Sequence, residues 1–338
     1  MIEINSIAEK LIGFQVIDCD IINSNHFAFT LREDYSQWPS WDGGDAPGES
    51  ELIKRILELD LTKPEGEKWT SFDIKHFPDI DISATLPFSK SYLAMRLNGE
   101  SFEIQHGNLS KKYDELPDRR HHENGIRRGV FTKVKAYKNV LLGVTARRQL
   151  LTFNGSEWKH VGQEINEIEG QYAYGGFTDF DLFSLEDIYA GGGKGDLWHY
   201  NGNVWQQIDF PSNKFIRTIC CGGDGYVYIT VGSATIYKGR DNEWELIHDE
   251  KISLYFKDAV WYEDKMWCTN DYGIWVLDND TFERQEESLP TDVLVSAGYL
   301  AQRDGVLLVG GYAGAAFKKD GGWVTAINQM KVNEYMKK

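Results

Sequence analysis

The sequence predicts an all-β fold, a β-propeller of four-stranded blades, seven by the leading count and six if the first third closes the ring differently. Three observations carry this. A bulky ring returns at Trp158, Trp205, Trp244, Phe282 and Trp323, at intervals of 47, 39, 38 and 41 residues, close to the roughly 40–45 residues of one blade. Each ring follows a polar Asn/Gly/Asp turn of the kind that supplies positive φ to a tight hairpin. The composition is that of short strands and turns, with 13% aromatic residues, 33 glycines and 8 prolines in 338 residues.

From the N-terminus, Met1 to Gly13 carries Glu3 and Glu9 and lacks a basic stretch followed by an apolar run, so no secretory signal is expected. No stretch approaches 18 apolar residues, which leaves a cytoplasmic location and no membrane helix as the expectation. A strand ending near Arg32 is followed by an insertion, EDYSQWPSWDGGDAPGES (Glu33 to Ser50), with five acids and no base. Leu52, Ile53, Ile56 and Leu57 after a Ser50 cap suggest one or two helical turns next. Two weaker matches to the repeat follow, Leu59–Ile74 with Trp69 in the ring position and Arg96–Gly107 with Phe102 in it. A second insertion, Leu109 to Gly129, holds Arg119, Arg120, His121, His122, Arg127 and Arg128 and reads as a solvated basic loop.

The clearest repeats follow. The third strand, turn and fourth strand read LLTFNGSEWKHV (Leu150–Val161), DLWHYNGNVWQQI (Asp196–Ile208) and TIYKGRDNEWELI (Thr235–Ile247), and more loosely GIWVLDNDTFERQ (Gly273–Gln285) and AAFKKDGGWVTAI (Ala315–Ile327). Second strands read DIYAGGG (Asp187–Gly193), YVYITVG (Tyr226–Gly232), KMWCTND (Lys265–Asp271) and VLLVGGY (Val306–Tyr312), their small final residues suiting the crowded region near an axis. The ring after each turn is expected to pack against the neighbouring blade. One domain over about 12–327 results, with blades near 12–78, 82–128, 130–168, 172–211, 215–250, 255–288 and 293–327 and a tail at 328–338.

Charge bounds the partners. The net charge is −16, which argues against nucleic-acid binding, because phosphate affinity rests on Lys and Arg. Leu109–Arg148 alone has 11 Lys or Arg against 4 Asp or Glu, so the rest carries −23. Such a field attracts basic partners. Cys19, Cys220, Cys221 and Cys268 have no zinc-ligand spacing and read as free thiols of a reducing compartment.

Catalytic motifs are missing. No GxSxG, HExxH or EF-hand loop occurs, and GlyGlyGlyLysGly at 191–195 fits no P-loop frame and reads as an inter-strand turn. Arg217, Arg240, Arg284 and Arg303 fall in different parts of different repeats, so no carboxylate-binding arginine cluster is expected. Asp179 and Asp181 share one face of a strand and suit a wet central channel better than acid–base work. No cofactor and no metal is expected.

The unit IYAGGGKGDLWHYNGNVWQQI resembles the propeller repeats of sialidase-like, Kelch-like and two-component-regulator-type domains, well over roughly 130–327 and poorly over 12–107. The repeat turns lack the Ser-x-Asp-x-Gly order of sialidase Asp-boxes, and the repeats lack the Trp-Asp and Gly-His signatures of WD repeats. This resemblance implies a fold alone.

The chain therefore reads as a monomeric, non-enzymatic protein-binding propeller that contacts neither nucleic acid nor membrane. An acidic, ring-bearing surface suits an immunity protein that neutralises a cognate basic toxin by direct binding. The expected contact residues are Glu33, Asp34, Tyr35, Trp38, Trp41, Asp42 and Asp45, since aromatic residues anchor interfaces. The alternative is a carbohydrate-binding or glycoside-hydrolysing propeller that stacks sugars on Trp198, Tyr200, Trp267 and Tyr272 at the channel mouth.

Overall fold

A computed structural model describes residues 7–38, 43–76, 80, 82–114, 129–163, 165, 176–249, 254–279 and 281–335. Twenty-eight strands among them form seven antiparallel sheets of four consecutive strands each. The first blade is β1 (Phe14–Asn23), β2 (His26–Glu33), β3 (Lys54–Asp60) and β4 (Trp69–Ile74). The second is β5 (Ile82–Leu86), β6 (Ser91–Met95), β7 (Ser101–Gln105) and β8 (Asn108–Tyr113). The third is β9 (Phe131–Tyr137), β10 (Val140–Thr145), β11 (Leu150–Phe153) and β12 (Trp158–His160). The fourth is β13 (Asp179–Ser184), β14 (Asp187–Gly192), β15 (Asp196–Tyr200) and β16 (Trp205–Gln207). The fifth is β17 (Ile216–Cys221), β18 (Val227–Val231), β19 (Thr235–Arg240) and β20 (Glu243–Asp249). The sixth is β21 (Asp258–Tyr262), β22 (Lys265–Asn270), β23 (Gly273–Asp278) and β24 (Thr281–Arg284). The seventh is β25 (Tyr299–Arg303), β26 (Val306–Gly311), β27 (Gly314–Lys319) and β28 (Gly322–Asn328). The first strand of each blade lies against the first strands of its two neighbours, so these seven strands line the axis. The fold is a seven-bladed β-propeller.

The recurring rings do what their spacing implies. Each junction between blades holds its own apolar cluster, and the ring that opens the fourth strand sits in the cluster shared with the preceding blade. Trp158 packs between blades two and three, Trp205 between three and four, Trp244 between four and five, Phe282 between five and six, and Trp323 between six and seven. Trp69 does the same where blade one meets blade seven. The small residues ending the second strands are needed near the axis: a Cβ on Gly192 would sit 2.2 Å from the Gly176 carbonyl oxygen, and one on Gly311 2.0 Å from that of Ala297.

The ring closes without a shared sheet, because every strand of blade one precedes every strand of blade seven. Closure rests on side chains. The stacked pair Phe27 and Phe317, 4.6 Å between centroids, joins blades one and seven. A short helix α1 (Ala8–Leu11) packs on the C-terminal helix, which adds Val332 to the same cluster.

Three local expectations are corrected. Leu52–Leu61 is not helical: Glu49–Glu51 is a single 3-10 turn, and Lys54–Asp60 is the third strand of blade one. That strand is paired on both edges and buried on both faces, so its apolar residues show no alternation to separate strand from helix. Phe102 lies on a third strand, not a fourth. The true bend before β8 is His106–Gly107, with φ of 50° and 71°. Phe102 still packs at the junction of blades one and two. The C-terminal stretch is not wholly a tail, because Gln329–Tyr335 is helical.

Candidate functional site

All seven inner strands start at the same end of the ring, where the loops joining second to third strands also lie, since strands alternate in direction. The acidic insertion of blade one is one such loop. Its carboxylates are used mainly inside the loop. Glu33 accepts from Trp38 Nε1 at 3.1 Å and from the Ile53 amide at 2.9 Å. Asp34 accepts from the Ser36 amide at 3.1 Å, capping the 3-10 turn Tyr35–Gln37, and from Gln15 Nε2 at 3.0 Å. Glu49 binds both Arg32 and Lys54, the latter at 2.6 Å. Burial opposes ionisation of Glu49, but these two cations outweigh it and hold its carboxyl below the usual range.

These bonds hold the described ends of the loop, where Tyr35 and Trp38 are half-buried and Asp45 is exposed. Trp41 and Asp42 lie outside the described residues, as do Arg119, Arg120, His121, His122, Arg127 and Arg128 of the second insertion.

The second feature is the axial channel, about 700 Å³. Its walls carry acids in register across blades: Asp18 and Asp20 on β1, Asp179 and Asp181 on β13, and Asp258 on β21. These acids staple neighbouring inner strands. Asp20 accepts from the Thr85 amide at 2.6 Å, Asp179 from Ile219 at 2.8 Å, Asp181 from Cys221 at 2.7 Å and Asp258 from Leu300 at 3.3 Å.

The counter-charges come from β9. Lys135 lies 3.5 Å from Asp179 and 3.7 Å from Asp181, and Lys133 lies 3.2 Å from Asp258. Burial disfavours both ammonium groups, but the surrounding carboxylates outweigh it and raise their pKa. Burial also pushes Asp18 up to about 7, against the hydrogen bond from Ser83 and the charge of Lys133. Asp179 and Asp181 are therefore wall and junction residues, as their spacing suggested.

A third cluster joins blades one and two. Buried Glu58 accepts from His26 Nε2 at 2.9 Å and from the amides of His106 and Gly107 at 3.1 and 3.2 Å. The ligand atoms of His26, Glu58 and His106 lie within 4.8 Å of one another. The two imidazoles are stacked, however, 5.4 Å apart and 8° from parallel. The Glu58 carboxylate is already committed to three donors, the imidazole of His26 and two backbone amides. The carboxylate here is a junction staple.

Of the rings considered for sugar stacking, Tyr200 and Trp267 are buried between blades, and Trp198 donates to Asp196 at 2.9 Å. Only Tyr272, 69% exposed, is open to stack a ligand. Arg240 pairs with Asp187 and Arg284 with Glu286 at 2.5 Å, while Arg217 and Arg303 line the channel near opposite ends. The four arginines do not converge. Arg217 has a distinct setting that its sequence position does not reveal, because its ring neighbour Tyr255 comes from the next blade. Among the described residues no helix is long and apolar enough to cross a membrane.

No protein-family model matches the chain. In sequence it is similar to the immune protein Tsi7 of Pseudomonas aeruginosa, 26% identical over 199 residues, which is 58% of this chain and 64% of that protein's length. Among solved structures it is similar to the WD40 β-propeller domain of Doa1, with a TM-score of 0.55, 10% identity, and coverage of 89% of this chain and 95% of that one. It is also similar to PorZ, a surface component of the type-IX secretion system of Porphyromonas gingivalis, with a TM-score of 0.56, 10% identity, and coverage of 93% of this chain and 39% of that one. At such identities the structural likenesses speak to fold alone. The protein is a seven-bladed propeller whose sequence resembles that of an immune protein over part of its length.

Proposed function

We propose that this protein is an immune protein that neutralises a cognate toxin by stoichiometric binding, as a monomer in the cytoplasm of the cell it protects. The observation that carries this reading is the 26% identity to the immune protein Tsi7. The chemistry of the chain agrees with it. A net charge of −16 favours a basic partner and speeds its approach. The proposed contact surface is the blade-one loop, with Tyr35, Trp38 and Trp41 as anchors and Glu33, Asp34, Asp42 and Asp45 supplying the negative field.

The test is protection in cells. Each reading frame neighbouring this gene is expressed in turn, and any that arrests growth is tested with and without the protein. The reading expects growth to be restored by the wild type and restored less well by Y35A/W38A. Growth arrest that is unchanged by the wild type contradicts it.

A further inference from the structure

At the end of the ring where the inner strands begin, Phe215 and Arg217 lie two residues apart on extended chain, so their side chains leave on the same side while Ile216 enters the core. The Arg217 guanidinium sits 4.7 Å from the centre of the Phe215 ring and 4.1 Å from that of Tyr255. Those rings are 36% and 46% exposed. A matching pair stands beside it: Lys257 lies 5.3 Å from the centres of both Tyr299 and Tyr312.

The two cations differ in one respect. Lys257 is paired with Asp271, and Lys133 and Lys135 deeper in the channel are paired as well. Among the described residues no carboxylate pairs with Arg217, and its Nε is shielded from solvent with no acceptor. A half-desolvated guanidinium without an anion is an interaction left unmade.

We infer that Arg217, on its platform of Phe215 and Tyr255, receives an acidic side chain of the protein partner, an inference that rests on the toxin-binding reading above. The guanidinium presents a planar fork that fits a carboxylate. The exposed rings around it are the residue types that anchor protein interfaces. The protein's field repels nucleic acid, so a phosphate backbone is a poor fit. On an acidic molecule, an arginine at the mouth with no carboxylate partner among the described residues helps fix the orientation in which a basic partner docks.

The experiment measures association and dissociation of the purified product of a growth-arresting neighbouring reading frame, found as above, against wild type, R217Q, R217K and Y255A, each checked by thermal melting. R217Q is expected to raise Kd by about tenfold, mostly through faster dissociation, because a desolvated charge contact acts on the off-rate. R217K is expected to recover only part, since an ammonium lacks the fork. Y255A, which keeps the charge and removes the platform, reports on the site should the arginine variants unfold. Binding by R217Q and Y255A within about twofold of wild type overturns this inference and leaves the toxin-binding reading standing; absence of binding by the wild type overturns both.

Discussion

Lys133 and Asp258 meet across the axis: the ammonium of the third blade's inner strand lies 3.2 Å from a carboxylate of the sixth's, linking blades on opposite sides of the ring. Asp258 also accepts the amide of Leu300, so one carboxylate ties three blades together. Removing one partner of a buried pair leaves the other charge uncompensated. The side chain of Lys133 is a quarter exposed to the channel, which screens part of that cost. Asp258→Ala is therefore expected to lower stability by about 2 kcal/mol, read as a lower urea midpoint. An unchanged midpoint contradicts a structural role for the cross-channel pair.

Asp18 gives the protein a pH-dependent stability. Its carboxyl is raised from 3.8 to about 7 by burial, so the folded state holds a proton that the unfolded chain has already released. Stability contributed by this group accordingly falls as pH rises from about 4 to about 7, by an upper bound of about 4 kcal/mol. Asp18→Asn removes the slope. Urea unfolding at pH 5 and pH 8 is expected to show the variant gaining on wild type at the higher pH; equal differences at both contradict the assignment.

Trp205 is the most completely used of the five clear repeat rings. It is 5% exposed, donates to the Val161 carbonyl of the preceding blade at 3.0 Å, and packs on Phe177 and Tyr200. Trp205→Ala is expected to cost about 3–5 kcal/mol, the range for a truncated buried aromatic. Trp244, in the same repeat position one blade on, is half-buried. Its alanine variant is expected to lose roughly half as much, because less area leaves water. Denaturant midpoints of the two variants decide the order.

Glu58 holds blade one to blade two through His26 and the amides of His106 and Gly107. Glu58→Ala strands both amides and is expected to cost about 2–4 kcal/mol. Added zinc is expected to leave the melting temperature of the wild type unchanged, since the Glu58 carboxylate is already taken up by His26 and two amides. A zinc-dependent rise that disappears in the Glu58 variant would establish a metal site instead.

What could be read from the chain beforehand follows from how local each signal is. The rings at Trp158, Trp205, Trp244, Phe282 and Trp323 each follow their turn within a few residues, and periodicity alone placed them at blade junctions. The helical turns expected from Leu52, Ile53, Ile56 and Leu57 give way to the strand Lys54–Asp60 because a strand buried on both faces carries no alternation, and 3.6 and 2 then fit equally well. The blade-two turn is misplaced because Asn98-Gly99, the bend between second and third strands with Gly99 at φ 91°, carries the same Asn-Gly signal as the repeat turns. The loop acids were legible as a cluster, but not that Glu33, Asp34 and Glu49 are spent on the loop itself, which depends on Arg32, Trp38 and Lys54 folding back on them. Arg217 carried no signal at all, since its setting is built from Tyr255 of the next blade.

Titration calorimetry of the purified growth-arresting product with this protein, at low and at high salt, tests the central claim most directly. The account predicts one-to-one binding, with affinity that weakens as salt screens the attraction between a basic toxin and a chain of net charge −16. No heat of binding at micromolar concentrations in either buffer would contradict it.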